Sequence, residues 1–419
     1  MRNLNMNHSS SSSNIDDQQP QAGDRFLAHL APLLLLTSLF FVNFMSRIVL
    51  APLMPRVKSD LALSHSEAGS LFLMISLGYF ATLLGSGFIS SRLTHRKTIM
   101  FSSIAVGAAL LATSLSTDLW GMRLGLIALG MAAGPYIPSG MATLTTLFSF
   151  RHWGKALAIH ELAPNISFVV APLVAEVVLY WFSWRKVFMV LGLAAIIIAA
   201  VFARFGRGGD FRGETIKYSS CRQIFSNPAF WVMMVLFSLG ISSTLGVYTM
   251  LPLYLVTDHG LSRNWANTLI SISRIAAIGM ALVGGWATDR FGPLRIIRII
   301  FVLTGMMTMF IGLASQTWVA VAVFLQPIMA VCFFPAGLAA LSMVSSAKER
   351  NLTVSLAIPM AFLVGGGAVP ALIGFLGDVR SFGLGIALVG GLIMTGSIWS
   401  GFVKLQDQAG EQLTSPTRL

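Results

Sequence analysis

Charge is scarce in this sequence. Only 11% of its 419 residues are Asp, Glu, Lys or Arg, with 16 acidic residues against 28 basic ones. A soluble domain carries a charged fraction of about a quarter, so a soluble globular protein is excluded. Paired carboxylates within an apolar run are missing, and so are a phosphate-binding glycine loop and any His or Cys spacing that holds a metal. The chain therefore reads as a non-enzyme that needs no cofactor and no metal, and its energy is expected from gradients, not from ATP. Cysteine is limited to Cys221 and Cys332, far apart in the sequence, which suggests no disulfide framework.

What the chain does have is oil. Hydrophobic residues make up 55% of it, the mean hydropathy is +0.77, and apolar runs recur along most of its length. A run of roughly 20 such residues crosses a hydrocarbon core about 30 Å thick. The 39 glycines and 16 prolines are no objection, since small residues let membrane helices pack closely. An all-α integral membrane protein of twelve spans is predicted, near 28–55, 67–91, 98–116, 119–148, 155–181, 184–204, 229–257, 264–287, 293–314, 317–346, 352–377 and 382–404. The division that follows is a disordered cytoplasmic tail over 1–25, a six-helix half over 26–204, a polar cytoplasmic linker over 205–227, a second six-helix half over 228–405, and a tail over 406–419. The first apolar run is too long for a signal-peptide core and is read as a retained span.

The net charge of +12 is spread through short loops, the pattern of membrane orientation and not of nucleic-acid binding. It favours a multi-pass protein of the plasma, bacterial inner, membrane with both termini cytoplasmic. The expected partners are the lipid bilayer, a small anionic substrate and H+; no nucleic acid is expected, and the chain is read as a monomer.

The sequence also repeats itself. Gly87, Arg92 and Lys97 return as Gly285, Arg290 and Arg295 at one constant offset, as does Leu63-Ser64 in Leu261-Ser262. Tyr136-Ile137-Pro138-Ser139-Gly140 is echoed in Phe333-Phe334-Pro335-Ala336-Gly337. Two halves related by duplication are the simplest account, and secondary transporters are commonly built so, with the site between the repeats. The stretch Gly285-Trp286-Ala287-Thr288-Asp289-Arg290-Phe291-Gly292, followed by Arg295, resembles the cytoplasmic loop signature of the major facilitator superfamily. In this reading the eighth helix ends at a glycine-bounded turn from Gly284, where Asp289 and Arg290 cap and pair with neighbouring helix ends. The first copy, Gly87 to Lys97, is worn: Ser91 stands where the family has Asp, and Thr94 where it has Gly. The resemblance implies the major facilitator fold, two pseudo-symmetric six-helix halves, and alternating access. It also implies that the inner gate of the first half leans on contacts other than that aspartate.

Charges inside the apolar spans are few enough to name. Arg47 lies in the first span, His160 and Glu161 in the fifth, and Arg274 near the middle of the eighth, with Arg123 and Glu176 nearer the outer ends. An arginine at mid-membrane costs roughly 2.5–3.5 kcal/mol and so faces a cavity or a partner. A guanidinium fork fits a carboxylate and stays charged at any working pH, so two of them, one from each half, point to an anion. The competing reading for Arg274 is a strut bonded to backbone carbonyls or to Glu161, and for Arg47 a long side chain that snorkels to the surface. An arginine in the first span is similar to the organic anion symporters of the superfamily, and one in the eighth to its monocarboxylate porters. Asn43, Tyr79, Tyr136, Asn165, Tyr248 and Gln326 are further candidates for the substrate cavity, each with helix packing as the plainer role. For His160 and Glu161 two readings stand side by side: a proton-coupling pair, loosened by Pro164, or a static gate in which Glu161 binds a basic loop residue near Lys155.

The leading expectation is a secondary active transporter moving a small, monocarboxylate-like organic anion by proton symport. The alternatives are a drug or metabolite exporter working as a proton antiporter, and a non-transporting membrane receptor or scaffold.

Overall fold

The computed structural model describes residues 26–213, 218–344 and 350–403. The expected tails, residues 214–217 of the linker and the side chain of Cys221 lie outside the described residues. Among the described residues twelve helical spans are long and apolar enough to cross a membrane. They are α1 Phe26–Asp60, α2 His65–Leu84, α3 His95–Ser114, α4 Leu119–Leu147, α5 Phe150–Trp181, α6 Trp184–Phe205, α7 Pro228–Thr257, α8 Arg263–Phe291, α9 Pro293–Leu313, α10 Gln316–Ser342, α11 Leu352–Val379 and α12 Phe382–Phe402. Large apolar side chains such as Leu282, Phe101 and Ile197 are exposed on the outside of the bundle, as lipid contact requires.

Hydroxyl and carboxylate caps start the helices. Ser64 and Glu67 form a reciprocal capping box at α2, and Ser262 at the corresponding start of α8 accepts from the Trp265 amide. The duplication reaches into the packing. A Cβ on Gly107 of α3 would lie 2.6 Å from the Gly192 carbonyl oxygen of α6. A Cβ on Gly305 of α9 would lie 2.7 Å from the Gly390 oxygen of α12. Both glycine pairs are related by the same offset as the loop signatures.

Prolines place the breaks. Pro52 cannot donate to the Ile48 carbonyl, and α1 turns at Val49. Pro138 and Pro335 likewise follow turns at Gly134-Pro135 in α4 and Val331-Cys332 in α10, and Pro164 follows the turn at Glu161 in α5. In α7 and α11 the helix instead widens into π turns, Ser242–Gly246 and Val364–Ala368. These two turns face each other, with Gly246 and Gly365 as the contact: a Cβ on Gly246 would lie 2.5 Å from the Gly365 oxygen.

The halves meet along α1 with α7, α2 with α11, and α5 with α8. They are latched at the face away from the termini. Glu176 of α5 accepts from Arg263 Nε at 2.8 Å and Nη2 at 3.1 Å, and from Asn267 Nδ2 at 2.6 Å. Asp378 of α11 accepts from the His65 and Ser66 amides at 2.9 and 2.8 Å, and its carboxylate lies 3.1 Å from the His65 ring, so an acid of one half caps a helix of the other.

At the opposite face the linker docks on the worn signature. Thr94 and Arg212 form an antiparallel bridge. The His95 amide donates to Phe211, the Arg96 amide to Gly209, and the Gly213 amide to Ser90, all within 3.0 Å. Arg96 also pairs with Asp210 at 3.5 Å. Gly208 and Gly209, at φ of 82° and 78°, make the turn that brings this stretch back onto α3, a conformation other residues rarely adopt.

The second signature differs from the sequence expectation. The helix does not break at Gly284 but runs on through Phe291 and ends at Gly292, whose φ is 84°. Thr288 bonds back to the Gly284 carbonyl at 2.7 Å, and Gly284 serves close packing, since its Cβ would lie 2.9 Å from Cys332 Cα. The extra turns leave Asp289, Arg290 and Arg295 exposed, and among the described residues neither Asp289 nor Arg290 forms an ion pair.

Candidate functional site

The two arginines are held by aromatic rings. Arg47 sits two residues before the α1 turn and is buried, with its guanidinium 4.2 Å from the Tyr79 ring centre, 4.9 Å from Phe44 and 5.6 Å from Phe362. Phe44 and Tyr79 come from the first half and Phe362 from the second, so the cage closes across the interface. Its Nε has no hydrogen-bond partner. Arg274 is buried as well, over Phe168 at 4.5 Å and Tyr248 at 5.0 Å. Its Nη2 donates to the Thr244 carbonyl at 2.9 Å, inside the α7 π turn, where the wider helix leaves carbonyl oxygens open to outside donors. Among the described residues neither arginine is in an ion pair with a carboxylate.

One aromatic wall joins them. Phe44, under Arg47, meets Phe168 edge-on at 5.2 Å, and Phe168, under Arg274, meets Tyr248 at 4.8 Å. The Tyr248 hydroxyl is buried and unpartnered. A small cavity opens beside Arg47, between the halves, with Phe44, Phe72 and Phe362 in its walls.

A second cluster lies inside the first half. Tyr136 of α4 and His160 of α5 flank Phe40 of α1, with His160 stacked on it at 4.6 Å and Tyr136 at 5.5 Å. The single Tyr136 hydroxyl proton goes to the Leu36 carbonyl at 2.6 Å, because a carbonyl cannot donate. His160 Nε2, 3.3 Å from the same oxygen, must therefore be the donor there. That leaves Nδ1, fully buried and without a hydrogen bond, facing Glu161 Oε1 at 3.6 Å. Glu161 itself is more than half exposed, so one member of this pair meets solvent while the other is sealed. Lys155 is no partner of Glu161 in this arrangement.

The remaining candidates are spread out. Asn43 donates to the Ala133 carbonyl at 3.1 Å and keeps a buried, unpartnered Oδ1. Asn165 donates to Glu161 O one turn back, at 2.9 Å. Gln326 is occupied within the second half, on Ser243 O at 2.7 Å and Thr308 Oγ1 at 3.2 Å. The loop residues Gly87, Arg92, Gly285, Asp289, Arg290, Gly292 and Arg295 lie at the face of the termini, far along the helices from the arginines; Arg92 lies over Phe88 at 5.2 Å.

Sequence reasoning passed over Phe44, Phe168 and Phe362. With 29 phenylalanines in the chain, none carried a signal of its own. The Glu176 latch did have one, a lone acid near the end of an apolar run.

Comparison with known proteins agrees with this architecture. The chain is 24% identical over 400 residues to a protein of Escherichia coli K12 named as a probable L-galactonate transporter, covering 86% of each. It is 24% identical over 271 residues to the membrane sensor protein UhpC of Salmonella typhimurium LT2, covering 58% of this chain and 61% of that one. In structure it is similar to a bacterial homologue of the human lysosomal transporter Spinster, in an inward-facing and occupied conformation, with a TM-score of 0.76, 15% identity, and coverage of 91% of this chain and 97% of that one. The family model for the Major Facilitator Superfamily matches residues 36–325. Duplicated halves, proline-set breaks and a match over most of the length converge: this chain is a multi-pass membrane protein that belongs to the Major Facilitator Superfamily.

Proposed function

We propose that the chain is a secondary active transporter that moves a small, monocarboxylate-like organic anion across the cytoplasmic membrane by alternating access, coupled to protons by symport. One observation carries the reading: Arg47 and Arg274, one from each half, are buried at the seam with no carboxylate partner among the described residues. Two guanidiniums left without counter-charge favour a ligand that brings its own. The relative named for L-galactonate is consistent with an organic acid as cargo. With both termini cytoplasmic, the Glu176 and Asp378 latches lie on the outer side. His160 and Glu161 are the proton site in this scheme. One proton held between Nδ1 and the carboxylate relieves the lone pair that now faces an anion, and the exposed carboxylate gives it a way out.

The test is uptake of labelled organic acids by proteoliposomes under an imposed pH gradient. Accumulation that a protonophore abolishes, and that Arg274→Ala loses, supports the proposal; full activity of Arg274→Ala ends it.

A second reading, a membrane sensor, is favoured by the likeness to UhpC. A sensor binds its ligand without accumulating it, so the same vesicles distinguish the two.

A further inference from the structure

We propose that the cargo is an acid with a flat or branched apolar body, an aryl-acetic or branched-chain monocarboxylic acid, and not a polyhydroxylated sugar acid. This rests on the anion reading above and adds to it the chemistry of the other end of the molecule. The cavity beside Arg47 offers one charge and otherwise mostly hydrocarbon: Phe44, Phe72, Tyr79, Leu245 and Phe362 are among its walls. Of its hydroxyls, that of Thr249 is already bonded to Gly246 O at 2.8 Å and that of Tyr79 is engaged by Arg47 itself, which leaves Ser76 to serve a ligand.

The arginine is poised for a carboxylate. Its Nε is buried without a partner, and three rings hold the guanidinium on their faces, which fixes its plane and leaves Nε free to donate. A carboxylate bound to that fork directs the rest of the ligand onto aromatic surface. A sugar acid brings four or more hydroxyls to that surface. Each one stripped of water without a replacement bond weakens binding by roughly tenfold. An aryl or branched alkyl body loses nothing there and gains ring contact with Phe44 and Phe362.

The cage supplies the specificity, because Phe44 comes from the first half and Phe362 from the second. A body that enters the cavity they line, which at about 20 Å³ must widen to admit it, touches both halves at once, as a cargo that stabilises the closed interface must.

The experiment is a binding titration of the purified full-length protein, by thermal shift and by displacement, with four monocarboxylates: phenylacetate, 3-methylbutanoate, D-gluconate and L-galactonate. Phenylacetate and 3-methylbutanoate are expected to bind at least about tenfold tighter than either hydroxylated acid. Phe362→Leu is expected to narrow the preference for phenylacetate over 3-methylbutanoate. Gluconate or galactonate binding as tightly as phenylacetate, in a manner that Arg47→Ala abolishes, overturns this inference and leaves the anion reading in place. Failure of all four acids to bind overturns both.

Discussion

Arg274, in the second half, lies with its guanidinium 4.5 Å from the ring centre of Phe168, in the first. The same ring meets Phe44, which in turn lies beneath Arg47. The two cations are therefore parts of one assembly that spans the seam between the halves. A cation over an aromatic face contributes about 1 kcal/mol when partly desolvated. Phe168→Leu is expected to raise KM for the transported anion roughly fivefold with little change in kcat. Arg274→Lys, which keeps the charge but not the planar fork, is expected to cost more than tenfold. Initial-rate uptake in proteoliposomes measures both, and parent-like kinetics for Arg274→Lys reduces the arginine to a structural role.

The His160 and Glu161 pair makes a separable prediction. Glu161→Gln removes the anion beside Nδ1 while leaving the Tyr136 side of the ring untouched. Accumulation driven by a pH gradient should fall to simple equilibration, while exchange of labelled for unlabelled anion continues near the parent rate. Loss of both activities together marks the carboxylate as structural, and retention of both removes it from the coupling mechanism.

Breaking the Glu176 latch should shift the balance between closed and open states. Its partners are only partly exposed, so Glu176→Gln is expected to cost roughly 1–3 kcal/mol of closure, between the values for surface and buried pairs. Ser271 is buried where α8 meets α5, bonded to the Val169 carbonyl at 2.9 Å, and a cysteine placed there reports on opening. With Cys221 and Cys332 replaced, Ser271→Cys should react with a water-soluble thiol reagent at least several-fold faster in the Glu176→Gln background. Equal rates in the two backgrounds exclude Glu176 as a latch.

Glycines at the helix contacts divide into two kinds. A methyl on Gly305 would collide with the Gly390 carbonyl of α12, whereas Gly285 has open space around its Cβ position. Gly305→Ala is expected to destabilise by about 1–3 kcal/mol, and Gly285→Ala to be neutral or stabilising by up to about 1 kcal/mol, as helix propensity favours alanine. Thermal unfolding in detergent checks the contrast, and the opposite order contradicts the packing described for α9 and α12.

The architecture could be read from the sequence because hydrophobic length is a local signal. The apolar runs give the spans, whereas proline alone does not give the breaks: they precede Pro52, Pro138, Pro164 and Pro335, but the helices run on through Pro252, Pro327 and Pro359. The duplication was equally visible, from Gly87 and Gly285 outward. The arginines stood out because charge is costly in an apolar run. Their surroundings did not, for phenylalanine is common here and only tertiary packing selects Phe44, Phe168 and Phe362 from the rest. The end of α8 was misplaced for a related reason. Two adjacent glycines argue for a stop, but Gly284 is there to admit the α10 backbone, a contact no local pattern reveals.

The docked linker alters how much slack the two halves share. Because residues 209–213 are stitched to the start of α3, they ride with the first bundle, and the leash between the bundles begins no earlier than Gly213. Residues added before Gly213 would bulge against α3 without lengthening that leash, while residues added after it would lengthen it directly. Thr94, one of the two positions at which this chain departs from the superfamily signature, is thus part of that mooring.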